Sequence, residues 1–167
     1  MTDTASFSKS ATGFDQLNMR KSKACESLRA ALPSYDAITA VIVKNGAWWD
    51  SFRQKTRAIS QAEPIEPLLS FAARAYTSTN PAELAILAIA YERSLGRSHN
   101  LLAVVDNLIM ADFTFLTTLE GMECLILIAK TYTDIGQPRR AWLIWRKGLA
   151  IAQLMVCLSR ILCSNID

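Results

Sequence analysis

The side chains of this 167-residue sequence that could act as nucleophiles, general bases or metal ligands are few and far apart. The single histidine, His99, stands in the stretch GRSHN with no cysteine beside it. A nucleophile needs a base and an orienting group, and the sequence contains no G-x-S-x-G elbow and no catalytic cysteine motif. We therefore predict that His99 is an exposed loop residue, that the chain has no catalytic residues, and that it is not an enzyme.

The four cysteines do not form a metal-binding pattern. Cys25 and Cys124 are isolated, Cys157 and Cys163 stand six positions apart, and there is no C-x-x-C pair. Finger-type zinc sites need close ligand pairs, because one short turn must present two thiolates to the same ion. Glycine-rich phosphate loops are also absent from the sequence. We predict no metal site and no cofactor site, with the thiols packing as small hydrophobic groups in a reducing compartment.

The composition bounds the class of protein. The chain is 51% hydrophobic and carries a formal net charge of +3, which is typical of a folded domain and unlike a disordered chain. The positive charges are spread along the sequence, so they do not indicate a nucleic-acid surface. A polar start and the lack of a long uncharged apolar run predict a soluble intracellular protein without a membrane partner.

Helical periodicity predicts an all-α fold of about seven helices, arranged as antiparallel hairpins. Residues 1–15 are rich in Ser and Thr and are predicted to be a disordered lead. Residues 16–160 are predicted to form a single helical domain, and residues 161–167 a tail. The segment QAEPIEP at 61–67 is the clearest predicted linker.

Local signals place several helix ends. Pro33 breaks one helix, and Ser34 can cap the next by accepting a backbone N–H bond. Asn80, Pro81 and Glu83 read as a cap, a first-turn proline and a capping-box glutamate. Gly96 is predicted to end that helix.

Two adjacent tryptophans, Trp48 and Trp49, are predicted to open a helix. Paired indoles could stack on a base or a sugar, but they more often anchor an interface between helices. We favour the anchor, with Phe52 one turn further on.

The stretch Leu119–Arg160 predicts a helical hairpin with a break at Gly136 and Pro138. After the break, apolar residues recur at steps of three and four: Trp142, Trp145, Leu149, Ala152 and Val156. A polar stripe follows steps of seven: Arg139, Arg146, Gln153 and Arg160. This pattern predicts that the tryptophans face inward and the arginines outward.

The hairpin resembles a single tetratricopeptide repeat (TPR), whose small and aromatic positions would fall on Ala129, Tyr132, Gly136, Ala141 and Trp145. Upstream there is no second copy with the same spacing, although a solenoid needs about three repeats. A TPR-like protein-interaction module, holding a partner helix through Trp142 and Trp145, is our alternative hypothesis.

A fuller resemblance extends from about Leu28 to Met155. It is carried by Tyr132, Gly136, Pro138, Arg139, Arg140, Ala141 and Trp142, then by Ala152, Gln153, Leu154 and Met155. Upstream it includes Leu32-Pro33-Ser34, Trp48-Trp49 and Asn80-Pro81. In this order and spacing the chain resembles the fungal-specific transcription factor domain, the middle regulatory region of fungal regulators with a binuclear zinc cluster.

The resemblance implies a transcription-regulator-like protein of the nucleus. The zinc cluster of the family, six closely spaced cysteines, is not in this sequence, so no DNA binding is expected from this chain. The family domain also continues beyond the segment matched here, so we expect a truncated domain whose exposed apolar helix faces take a protein partner or self-associate. Candidate packing or interaction residues are Trp48, Trp49, Tyr132, Gly136, Pro138, Arg139, Arg140, Ala141, Trp142 and Trp145.

Overall fold

The computed structural model describes residues 5–60, 65–96 and 100–164, with side chains described for 13–56, 65–96 and 100–157. These residues form helices and connections without a strand, which confirms the all-α class. The described ranges contain nine helices in place of about seven: α1 (Ala5–Ala31), α2 (Tyr35–Asn45), α3 (Trp48–Ser60), α4 (Leu68–Thr77), α5 (Pro81–Leu95), α6 (Asn100–Ile109), α7 (Phe113–Leu116), α8 (Leu119–Asp134) and α9 (Pro138–Ser164). Among them, none combines the length and the apolar character needed to cross a bilayer.

Helix boundaries differ from the predicted ones at both ends of the chain. The first helix starts at Ala5, so part of the predicted lead at 1–15 is helical. The last helix continues to Ser164, beyond the predicted domain end at residue 160. The short α7 is capped by the Asp112 side chain, which accepts a 3.0 Å bond from the N–H of Thr114.

The predicted caps are present, with one change of partners. Ser34 caps α2 and Asn80 caps α5, where Pro81 occupies the first turn. Gly96 ends α5 with a φ of 76°, a backbone conformation that suits glycine. The capping box is not formed, because the N–H of Asn80 donates to Ser78 Oγ at 3.0 Å while the Glu83 carboxylate binds Ser78 and Arg74.

The core is built around α5. This helix packs against α1, α2, α4, α6 and α8, and its middle segment from Leu84 to Ala90 is apolar and buried on every side. A helix without a polar face must be covered all round. Around it, the buried cluster includes Trp49, Phe71, Leu116 and Ile128.

The last two helices meet through a tight turn. The Gly136 backbone has a φ of 76°, and the N–H of Gln137 donates to the carbonyl of Tyr132 at 2.8 Å. These features are those of an α-helix whose C-terminus is followed by a residue in the left-handed (αL) conformation. Pro138 then begins α9, which packs against α8.

The side of α9 that faces the core is shifted by one residue from the predicted side. The buried positions are Ala141, Ile144, Gly148 and Ile151, each directly before a predicted one. The indole of Trp142 is 55% exposed and Leu149 is 65% exposed. The prediction of an inward tryptophan face was therefore wrong.

Packing distance explains the shift. Small residues, Ala141 and Gly148, stand on the side of α9 that meets α8, and a Cβ added at Gly148 would lie 3.9 Å from Leu125, so the gap there admits only a small side chain. An indole at the same place would hold the helices apart. Apolar residues surround much of α9, so periodicity alone left the choice of face open.

Candidate functional site

The two adjacent tryptophans have different surroundings. Trp49 is fully buried, its indole N–H donates to the carbonyl of Glu66 at 3.0 Å, and its ring lies 5.0 Å from that of Phe71. Trp48 is only partly buried, and its indole N–H donates to Ser94 Oγ at 3.2 Å. Trp49 is a core residue, whereas one side of Trp48 borders a cavity.

Arg93, at the end of α5, connects Trp48 to α8. Its guanidinium lies 4.6 Å from the centre of a Trp48 ring, donates to Thr131 Oγ1 at 3.1 Å and pairs with Asp134 at 2.9 Å. The Nε of Arg93 is buried and has no hydrogen-bond acceptor among the described residues. This guanidinium therefore keeps an unused donor.

Asp134 pairs with two cations, Arg93 and Lys130. Partial burial alone would raise the pKa of this carboxyl group. Hydrogen bonds from Lys130 and Arg93 outweigh that effect and hold the pKa of Asp134 below its usual value. Asp134 thus stays ionised near neutral pH and orients both cations.

A cavity of about 490 Å³ opens between α3, α5, α8 and α9. Its aromatic walls are Trp48, Phe52 and Trp145, and its cationic side chains are Lys55, Arg93 and Lys130; Ser51, Thr56 and Ile126 complete the lining. The volume lies within the ~300 to 1,000 Å³ typical of small-molecule sites. We refer to this space as the α3–α9 cavity.

An apolar trough of about 170 Å³ adjoins the α3–α9 cavity. Ile126 and Trp145 line both spaces. The remaining residues of the trough are Met122, Leu125, Ile144, Gly148, Leu149 and Ala152. Since its lining side chains are all apolar, the trough can accept an apolar group but offers no side-chain partner to a polar one.

Another cavity, of about 380 Å³, lies between α1 and the α4–α5 junction. Its lining is more polar and includes Lys21, Cys25 and Arg29. Arg29 already donates to the carbonyl of Ser78 at 2.5 Å, and the Cys25 thiol donates to that of Thr79 at 3.3 Å. These groups are engaged in holding α1 to the junction.

Tyr132 connects two helices of the core. Its side chain is 2% exposed, and its hydroxyl donates to Asp106 Oδ2 at 2.9 Å, which joins α8 to α6. The Arg140 guanidinium lies 5.4 Å from the ring centre. Burial, together with the hydrogen bond to Asp106, raises the pKa of Tyr132 to about 12.

The remaining singled-out residues lie in the turn and the first turns of α9. Gly136 and Pro138 form the break, Arg139 is exposed, and Ala141 is buried. Hence the structure does not gather the predicted residues into one site: Trp48 and Trp145 line the same cavity, and the others serve packing, the turn or the surface.

The outward side of α9 carries a row of exposed apolar side chains, which we call the α9 face: Trp142, Leu149 and Val156. The Arg146 guanidinium lies 5.3 Å from the Trp142 ring centre. From 138 to 164 the sequence includes five basic residues and no acidic one. Apolar rows of this kind on a surface often mark interaction sites.

Thiols and metal ligands form no cluster in the part of the chain that the structure describes. Cys25 and Cys124 are buried and Cys157 is exposed. No group of three or more His, Cys, Asp or Glu side chains within the described residues could hold a metal ion. His99, for which a loop position was predicted, and the Cys163 side chain lie outside the described residues and side chains.

Sequence reasoning did not single out Lys55, Arg93 or Lys130. The spacing of Lys130 and Asp134, four residues apart on one helix, indicates their pair. Nothing in the sequence links Arg93 to Trp48, which lies 45 positions earlier, because only the packing of α3 on α5 and α8 brings them together.

Part of this chain is similar to fungal transcription factors. It is 35% identical over 57 residues to the transcription factor sdnS of Sordaria araneosa, and 34% identical over 55 residues to the transcription factor eupR of a Phoma species. The matches cover 34% and 33% of this chain but only 7% and 12% of those two proteins. No family profile and no solved structure matches the chain.

Proposed function

We propose that this chain corresponds to part of the regulatory region of a fungal zinc-cluster transcription factor, and that it acts in the nucleus as a transcription regulator. The similarity to sdnS and eupR over about a third of the chain carries the proposal. The all-α fold and the order of motifs from Leu32-Pro33-Ser34 to the α8–α9 turn agree with such a region. In this account the chain regulates through a protein partner.

The proposed contact surface is the α9 face, and the proposed partner is an acidic amphipathic protein segment. Trp142, Leu149 and Val156 offer apolar area, and α9 carries only positive charges around them. An acidic partner would complement both features. A second copy of this chain would instead bring two basic helices together, so charge disfavours self-association through this face.

The 167 residues contain no six-cysteine cluster, and the sequence provides no substitute for one. Its positive charges are spread along the chain rather than gathered on a helix or strand that could enter a groove of DNA. We therefore expect the isolated chain to leave a DNA duplex unshifted in a gel at physiological salt. Sequence-specific retention of a duplex would contradict this part of the proposal.

A tethering assay tests the regulatory role. The full chain is fused to a heterologous DNA-binding domain in a filamentous fungus that carries the matching reporter. We expect reporter expression to change relative to the DNA-binding domain alone, and a fluorescent fusion of the untethered chain to concentrate in the nucleus. Unchanged expression together with exclusion from the nucleus would overturn the proposal.

A TPR-like interaction module is the second candidate. The observation that favours it is the packing of α9 on α8 across the Gly136 turn, with Trp142 and Trp145 partly exposed. Such a module would bind its partner without any effect on a tethered reporter. Partner binding that is lost in Trp142→Ala, combined with a silent tethering assay, would favour this candidate over the first.

A further inference from the structure

We propose that the α3–α9 cavity and its trough bind an amphipathic monoanion, a carboxylate on an aliphatic or aromatic body. This inference does not depend on the proposed function, because binding is measured on the isolated chain. Three features carry it: the shape of the space, its apolar walls, and an excess of positive charge in the cavity.

The shape separates two ends. The larger space is about 490 Å³ and the adjoining trough about 170 Å³, with Ile126 and Trp145 lining both. Charged side chains line only the larger space, and the trough is lined by apolar residues. An elongated ligand with one polar end fits this division, with its body along Trp145.

The charge of the larger space favours an anionic end. Lys55 on α3, Arg93 on α5 and Lys130 on α8 line it, and Asp134 is the acidic group paired with two of them. Three cations and one anion leave a positive excess. Lys55 is exposed and lines the cavity, so a ligand in this space can reach its ammonium group.

The scarcity of other polar groups narrows the ligand class. Apart from the cations, only Ser51 and Thr56 bring side-chain hydroxyls, and the Thr56 hydroxyl already donates to the carbonyl of Phe52 at 3.2 Å. A nucleotide or sugar needs many directed hydrogen bonds. A carboxylate with an apolar body needs only a cationic end and apolar walls, which is what this lining provides.

The test uses decanoate, with decanol as the uncharged analogue of the same length and decylamine as the cationic one, all below their aggregation limits. Tryptophan fluorescence of the full chain reports binding, because Trp48 and Trp145 line the space. We expect saturable binding of one decanoate per chain, with roughly tenfold weaker binding of decanol and no saturable binding of decylamine.

Two pairs of variants locate the site. Lys55→Gln should weaken decanoate binding roughly three- to tenfold and leave decanol unchanged, whereas Lys21→Gln, in the cavity next to α1, should alter neither. Trp145→Ala should weaken both ligands, and Trp142→Ala, outside the cavity, should weaken neither. Circular dichroism and urea midpoints confirm that each variant remains folded.

Four results would overturn the proposal: no binding of decanoate, equal affinity for decanoate and decanol, an effect of Lys21→Gln as large as that of Lys55→Gln, or uptake that does not saturate near one ligand per chain. A tethering assay in which reporter expression does not change would not affect this inference. Conversely, failure of decanoate to bind would leave the regulatory proposal intact.

Discussion

The individual residues described above mainly hold helices together, and none of them is assigned a role in catalysis. Tyr132, singled out from the sequence as part of a motif, is buried and holds α8 to α6 through Asp106. Arg93 was not singled out, although it joins Trp48, Thr131 and Asp134. A motif reveals that a residue type recurs in a family, whereas contacts between distant helices appear only once the chain is folded.

Substituting Tyr132→Phe should lower the free energy of unfolding by about 1 to 2 kcal/mol at pH 8, because Asp106 loses a buried donor. The pKa of Tyr132 is raised to about 12 in the folded state, against about 10 in an unfolded chain. Its contribution is therefore complete below pH 10 and is lost as the pH rises from about 10 to 12. Urea unfolding of both proteins across this range measures the difference.

The wild type should lose stability more steeply than Tyr132→Phe above pH 10, while both share the titration of all other groups. Parallel curves would show that Tyr132 has an ordinary pKa and no special bond to Asp106. A variant more stable than the wild type at pH 8 would also contradict this assignment.

At the scale of elements, helix positions followed from the sequence better than helix faces did. Ser34, Asn80 and Gly96 cap or end helices where local signals placed them, because caps act within a few residues. The inward side of α9 was shifted by one residue, because its choice depends on the size of the side chain that fits between α8 and α9. The cavity lining, drawn from four helices, could not be predicted from local signals at all.

Two helical glycines give a matched test of helix packing. A Cβ at Gly121 would lie 2.1 Å from the carbonyl oxygen of Phe115, so Gly121→Ala should cost about 1 to 3 kcal/mol or more. The nearest atom to a Cβ at Gly148 is 3.9 Å away, so Gly148→Ala should stabilise by roughly 0.5 to 1 kcal/mol. Chemical denaturation measures the free energy of unfolding of both variants and of the wild type. Equal effects would show that α8 does not press on α7, or that α9 does not leave this space beside α8.

A buried carboxylate supports the start of α6. Glu92 is 5% exposed and accepts backbone N–H bonds from Leu101 at 3.1 Å and Leu102 at 2.5 Å. Glu92→Gln should cost about 1 to 2 kcal/mol, because charge-assisted bonds at a helix N-terminus are lost. Hydrogen exchange at Leu101 and Leu102 should accelerate.

Glu120→Gln is the control, since Glu120 lies in the first turn of α8 and is only partly buried. It should change stability by no more than about 0.5 kcal/mol. If the two substitutions had the same effect, or if exchange at the start of α6 were unchanged in Glu92→Gln, Glu92 would not be the cap of this helix.

At the scale of the whole molecule, α5 forms the centre and α9 borders both features that point to function. α9 closes the trough and part of the cavity and also presents the α9 face to solvent, with Leu149 at the boundary between the trough and that face. The all-α class and the similarity to fungal transcription factors were predictable from the sequence. Which apolar residues of α9 remain exposed depended on the folded arrangement.

The α9 face is the surface through which we propose that the chain regulates transcription. Leu149→Asp places a negative charge on this face and should repel an acidic partner, whereas Leu69→Asp makes the same change at an exposed position on α4. Both side chains are exposed, so each substitution should alter stability by about 0.5 kcal/mol or less.

The most direct measurement is the tethered-reporter assay with these two variants at equal protein level and equal nuclear fraction. We expect Leu149→Asp to return reporter expression to that of the DNA-binding domain alone, while Leu69→Asp retains the full effect of the wild-type chain. Retention of that effect by Leu149→Asp, or its loss in both variants, would contradict the claim.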